Sequence, residues 1–132
     1  MSTAIPIILK GLALFVMTTV SLNFIRGTDF LAGPTAFPPK TVGTALADNQ
    51  IRYLGGAFAG TSAIVWWISN DIAARQVPLA LIAAGVFTGG LGRAVAASKH
   101  GSFGSGNMKA AMWVELVVPV LFFVYGRLSG TW

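Results

Sequence analysis

Four side chains in this sequence could do acid–base chemistry in an apolar setting: Glu115, Asp48, Arg52 and Arg93. Glu115 is the only glutamate in the chain and sits inside "MWVELVVPVLFF", residues 112–123. Asp48 and Arg52 are four residues apart, so on a helix they share a face. Arg93 follows "GGLG". A carboxylate can take or give a proton, and a guanidinium can orient it or stabilise negative charge growing on an oxygen. Apolar surroundings disfavour the carboxylate ion and a neighbouring guanidinium favours it. A carboxyl group held between those two influences suits proton exchange with a lipophilic substrate. Asn23, Asn49, Tyr53 and Trp113 are the candidates for holding substrate or water beside that set.

Other chemistries find little in the sequence. There is no cysteine, so no thiol nucleophile and no disulfide, and a single histidine, His100, lies in a Gly/Ser-rich stretch. No His–carboxylate set has the spacing of a zinc or non-haem iron site. "GSFGSG" lacks the Lys-Ser/Thr that completes a phosphate-binding loop and reads as a connector. Neither a cofactor nor a metal is expected.

The elements that must position these residues follow from composition. Of 132 residues 55% are hydrophobic and 10% charged, with a mean hydropathy of +0.72. That balance is too apolar for a small soluble domain and ordinary for a membrane protein. The net charge of +5 comes from nine Lys and Arg scattered between apolar runs, with no basic stripe. Nucleic acid is therefore excluded as a partner. Four apolar runs, about 4–25, 51–69, 77–97 and 108–128, each approach the roughly 20 residues that span a bilayer core. The gaps between them hold Gly, Pro, Asn and Ser. Pro34, Pro38 and Pro39 forbid a continuous helix in the first gap, where a short helical turn is expected near 42–47. The first run is too long for a signal peptide and carries Lys10 within it, so it reads as a retained helix. The expected fold is all-α: one four-span transmembrane domain, residues 1–132, folded as a four-helix bundle.

An even number of spans puts both termini on one side. Loops one and three, with Arg26, Lys40, Lys99 and Lys109, lean towards the cytoplasm under the positive-inside rule. Trp66, Trp67 and Trp132 suit an aromatic belt near one set of span ends, with Trp113 towards the other. Gly56, Gly60 and Ala63 on the second span, and Gly85, Gly89, Gly92 and Ala96 on the third, suggest a small-residue seam or room for a ligand.

Depth gathers the polar residues. At a rise of roughly 1.5 Å per residue, Glu115 lies about 10 Å into the fourth span and Arg93 about 7 Å into the third, from the same side. Arg52, Asp48 and Asn23 lie towards that side on the other two helices. Pro119, four residues after Glu115, cannot donate to the Glu115 carbonyl. A charged residue at the centre of a membrane helix costs about 2.5–3.5 kcal/mol, so such residues are functional candidates. Two readings stay open. In one, Glu115 pairs with Arg93 or Arg52 and only fixes helix register. In the other, the cluster lines a pocket open to one interface.

The segments "DNQIRYLGGAFAG", "GGLGRAVA" and "VELVVPVLFF" resemble the small four-span membrane proteins of the family named domain of unknown function 4345. The resemblance runs from the first span through the fourth. It is carried most specifically by Asn49, Arg52, Gly55, Gly56, Gly90, Arg93, Glu115 and Pro119. The pattern is also similar to small membrane proteins of fungal polyketide pathways that open epoxides by hydrolysis or cyclisation. That likeness implies an epoxide hydrolase or cyclase in natural-product metabolism. Epoxide opening needs a base to activate water or an internal hydroxyl and an acid to protonate the leaving oxygen, roles that Glu115 and Asp48 could divide with Arg52 and Arg93 orienting them. A proton-shifting isomerase would use the same groups, and a non-catalytic assembly or accessory protein would use them as ion pairs alone. The expected partners are membrane lipid, a lipophilic small molecule and a second copy of the chain. The expected location is the endoplasmic reticulum or another endomembrane if the chain is eukaryotic.

Overall fold

The computed structural model describes residues 4–29, 41–103, 106–128 and 130. Among them are four α-helices and no strand: α1 (Ala4–Arg26), α2 (Val42–Ile68), α3 (Gln76–His100) and α4 (Gly106–Leu128). The fold is all-α. The prolines of the first connection, Lys40 and Trp132 lie outside the described residues.

Each helix boundary has a local cause. α1 ends where Gly27 takes a left-handed conformation (φ 56°) and its N–H donates to the Asn23 carbonyl at 2.8 Å. Glycine bears this conformation without strain, which makes it the usual residue just past a helix end. α2 starts at Val42, nearer its N-terminal signal than hydropathy implied. Thr41 is its cap, in an extended conformation, and accepts the Thr44 N–H through Oγ1 at 3.1 Å. The short turn expected near 42–47 is thus the first part of α2, which carries the polar residues Asp48, Asn49 and Gln50 before its apolar part begins. A single 3-10 turn (Ala73–Arg75) leads into α3, held by the Asp71 carboxylate, which accepts the Ala74 N–H at 3.1 Å. α3 ends at Gly101, again left-handed at φ 67°. Pro119 lies inside α4 and is buried.

Three segments are long and apolar enough to cross a membrane: α1, residues 73–100 including α3, and α4. They are clad in exposed large apolar side chains, such as Ile7, Phe15, Leu81 and Leu121. This is the surface of a membrane protein, since helices apolar all round are stable only when buried or in lipid. α2 has the length, but Arg52, its glycines, Thr61 and Ser62 dilute its apolar stretch.

The helices form two compact units: α1 with α2, and α3 with α4. In the first, Gly55 lets the backbones touch. A Cβ there would lie 3.0 Å from the Val20 carbonyl oxygen and 3.2 Å from the Phe24 nitrogen. In the second, a Cβ on Gly90 would lie 2.9 Å from Leu116 Cγ and 3.1 Å from Glu115 Cβ. Close backbone approach is what holds helices together where apolar burial gives no drive. Gly56, Gly60, Gly85 and Gly92, by contrast, face open space at the Cβ position. Across α1 and α2, the Lys10 ammonium also sits 5.5 Å from the Trp66 ring centroid, a cation–π contact at the other end of that pair.

Gly55→Val and Gly90→Val should each destabilise the protein by about 1–3 kcal/mol, the usual range for overpacking a tight contact. Gly60→Val and Gly92→Val, which meet nothing, should not. Thermal unfolding in detergent micelles checks this, and equal losses in all four variants would refute the tight-contact assignment.

Candidate functional site

Arg52 and Asp48 are together on the α1–α2 unit, and Arg93 and Glu115 on the α3–α4 unit. In the first pair, Arg52 Nε donates to Asp48 Oδ2 at 2.7 Å. Both side chains are about a third or more exposed, at 42% and 34%. An ion pair so exposed contributes little by itself. Its task lies in the other bonds. Arg52 Nη1 donates to the carbonyls of Phe24 (2.7 Å) and Ile25 (3.0 Å), in the last turn of α1. Those carbonyls have no helical donor of their own. Asp48 Oδ1 accepts the Thr28 N–H, just past the turn, at 3.2 Å. One α2 side-chain pair therefore closes the C-terminus of α1 and pins the chain that leaves it. Gly27 is required twice at this point, because a Cβ would run into the Asp48 carboxylate. The guanidinium of Arg52 and the Thr28 N–H hold the Asp48 carboxyl below the usual carboxylate range. Such a group is a poor proton donor near neutrality.

The second pair is differently placed. Arg93 Nε donates to Glu115 Oε2 at 2.8 Å across α3 and α4, and Nη1 donates to the Met108 thioether at 3.0 Å. Glu115 is the less exposed partner, at 21% against 37%. Gly89 is near the same carboxylate oxygen, 3.8 Å from a Cβ position. The other oxygen, Oε1, accepts no hydrogen bond from a described residue. Pro119 removes the amide hydrogen that would bond the Glu115 carbonyl along the helix. Glu115 is thus fixed by one oxygen and open at the other.

The remaining candidates divide between the units. Asn49 and Tyr53 line an open groove on the α1–α2 unit with Arg52 and Phe24. Asn23 sits beside the α1 terminus, its Oδ1 buried with no hydrogen-bond partner among the described residues. Trp113 is exposed on α4 two residues before Glu115. Four participating residues carried weak signals or none. Gly27, directly after an apolar run and Arg26, has the form of a helix-ending glycine and could have been read. The carbonyls of Phe24 and Ile25 carry no sequence signature, and Met108 reads as an ordinary apolar residue.

Asp48→Asn should lower the melting temperature, because the charged acceptor of Thr28 and the counter-ion of Arg52 are lost together. Since the folded-state pKa of Asp48 is depressed, its contribution is present above the ordinary carboxylate pKa and disappears as pH falls through the lowered value. The wild type should therefore lose more thermal stability than Asp48→Asn as pH falls from neutrality through and below the ordinary carboxylate range. Parallel curves for the two proteins would show that Asp48 does not titrate as a folding-linked group.

No curated protein and no solved structure matches the chain. The family described as Domain of unknown function (DUF4345) matches residues 4–125, a stretch that includes both ion pairs. The chain belongs to that family.

Proposed function

We propose that the protein is a four-span membrane enzyme that works without a cofactor on a lipophilic small molecule, opening an epoxide by hydrolysis or cyclisation. The observation that carries this reading is Glu115: a carboxylate on an apolar helix, steadied by Arg93 through Oε2, with Oε1 unengaged. In hydrolysis, Glu115 removes a proton from water as the water oxygen bonds to an epoxide carbon. The carbon–oxygen bond of the ring breaks, Arg93 stabilises the alkoxide, and the proton held by Glu115 returns to that oxygen, directly or through water. The sum is addition of one water. In cyclisation an internal hydroxyl replaces water and the product is an isomer. Asp48 and Arg52 serve this reading as positioning groups, through the end of α1 that they close.

A second reading keeps Glu115–Arg93 as a register lock in a non-catalytic protein. The Gly90–Leu116 contact beside the pair favours it, because a tightly packed seam gains from an ion pair that permits one register. A proton-shifting isomerase would use the same carboxylate with a different substrate.

Glu115→Gln separates these readings. Membranes containing wild-type protein should convert members of a panel of lipophilic epoxides to diols or cyclic ethers, with solvent oxygen incorporated only into the diols. The variant should accumulate normally and turn over at least about 100-fold more slowly, the lower end for loss of a general base. Wild-type turnover by the variant would remove Glu115 from the chemistry. An inactive wild type together with a lowered melting temperature for the variant would establish the register lock instead.

A further inference from the structure

The α1–α2 unit carries a surface feature that the Glu115 chemistry does not use. Asn49, Arg52, Tyr53, Gly56 and Ala57 recur at three- and four-residue intervals, so they share one face of α2, and with Phe24 of α1 they line an open groove of ≈ 670 Å³. A second groove of ≈ 490 Å³ continues from it, sharing Phe24 and Gly56 and passing Val20, Gly55 and Ala59. The larger groove lies within the roughly 300–1,000 Å³ range of small-ligand sites. It is open because Gly56 has no side chain and nothing within 4 Å of its Cβ position. From Asn49 to Ala59 the groove extends roughly 15 Å along α2.

Its chemistry changes along its length. At the end where α1 terminates, Asn49 and Tyr53 are exposed, and neither side chain hydrogen-bonds to a described residue. An amide and a phenol both donate and accept. Beyond Tyr53 the lining is Gly56, Ala57, Ala59, Val20 and Phe24, with Ser21 already bonded to the Met17 carbonyl. Among the residues that line the two grooves, Arg52 is the only charged one. Arg52 is already engaged by Asp48 and by the α1 carbonyls. An anionic head would find that cation already neutralised and would lie beside the Asp48 carboxylate. An uncharged head could bond Asn49 and Tyr53, while its chain followed the apolar channel away from the end of α1.

We infer that this groove binds a single-chain amphiphile with an uncharged, hydrogen-bonding head, the head at Asn49 and Tyr53 and the chain along Gly56 and Ala59. The site is independent of whether Glu115 is a base.

The test uses the full chain in nanodiscs of zwitterionic phospholipid and a monoacylglycerol with a diazirine in its chain. Photolabelling should fall on 20–25 and 55–59 and be competed by unlabelled monoacylglycerol. The fatty acid of equal chain length should compete at least roughly tenfold less well. Gly56→Leu fills the channel at a position with no neighbour to disturb, so it should keep the wild-type melting temperature and lose labelling by a similar factor. Glu115→Gln should label like the wild type, which separates this site from the proposed chemistry. Labelling spread evenly over the exposed apolar faces of α1, α3 and α4 would overturn the inference. So would equal competition by the fatty acid, undiminished labelling of Gly56→Leu, or loss of labelling in Glu115→Gln.

Discussion

The interaction on which the α1–α2 unit depends is the reach of Arg52 to the last carbonyls of α1. A helix leaves its final carbonyls without donors, and in an apolar environment each orphan group costs several kcal/mol. In water the solvent would supply the missing bonds. Here Arg52 Nη1 supplies two, to Phe24 and Ile25. That arrangement needs α2 close to α1, which only the bare backbone of Gly55 permits against Val20 and Phe24. It also needs the guanidinium aimed, which Asp48 does through Nε. Gly27 must then turn the chain without a Cβ, because the Asp48 carboxylate occupies that space. Each of these residues follows from the need to close one helix end.

The same pair of residue types does something else in the α3–α4 unit. Arg93 donates to a carboxylate and a thioether, and no carbonyl at a helix end is involved. The carboxylate of Asp48 uses both oxygens, one on Arg52 and one on the Thr28 N–H, whereas Glu115 uses one. This difference in valence separates a structural ion pair from one with capacity left for chemistry. Buried or half-buried ion pairs are weak evidence of stability in any case, since desolvation offsets much of the attraction. The unengaged Oε1 of Glu115 is therefore the feature of the α3–α4 pair that its strength does not account for.

Much of this was legible from residue order. Apolar runs located the helices to within a few residues for α1, α3 and α4, because lipid-facing helices are apolar all round and leave an unambiguous trace. α2 was the exception. Its first turns carry Asp48, Asn49 and Gln50, so hydropathy began the helix at about residue 51 while the Thr41 cap begins it at Val42. Four-residue spacing identified Asp48–Arg52 as neighbours. Depth along each helix left two arginines, Arg93 and Arg52, as expected partners for one glutamate. Geometry selected Arg93. The role of Arg52 could not be read, because its acceptors are main-chain carbonyls 27 and 28 residues earlier, and every residue has a carbonyl. The glycines show the same limit. Gly55 and Gly56 are adjacent and indistinguishable in sequence, yet a 100° step around the helix puts one against α1 and the other in open space.

That 100° step also explains why α2, though long enough, is not among the segments apolar enough to cross a membrane. It must present Gly55, Ser62 and Val65 for burial, a polar end for the closure of α1, and an open face at Gly56 and Gly60. A helix clad in Leu and Ile could cross lipid more favourably, but it would fill the groove and hold α1 at a distance from which Arg52 could not reach. The low hydropathy of α2 is thus a consequence of what it holds.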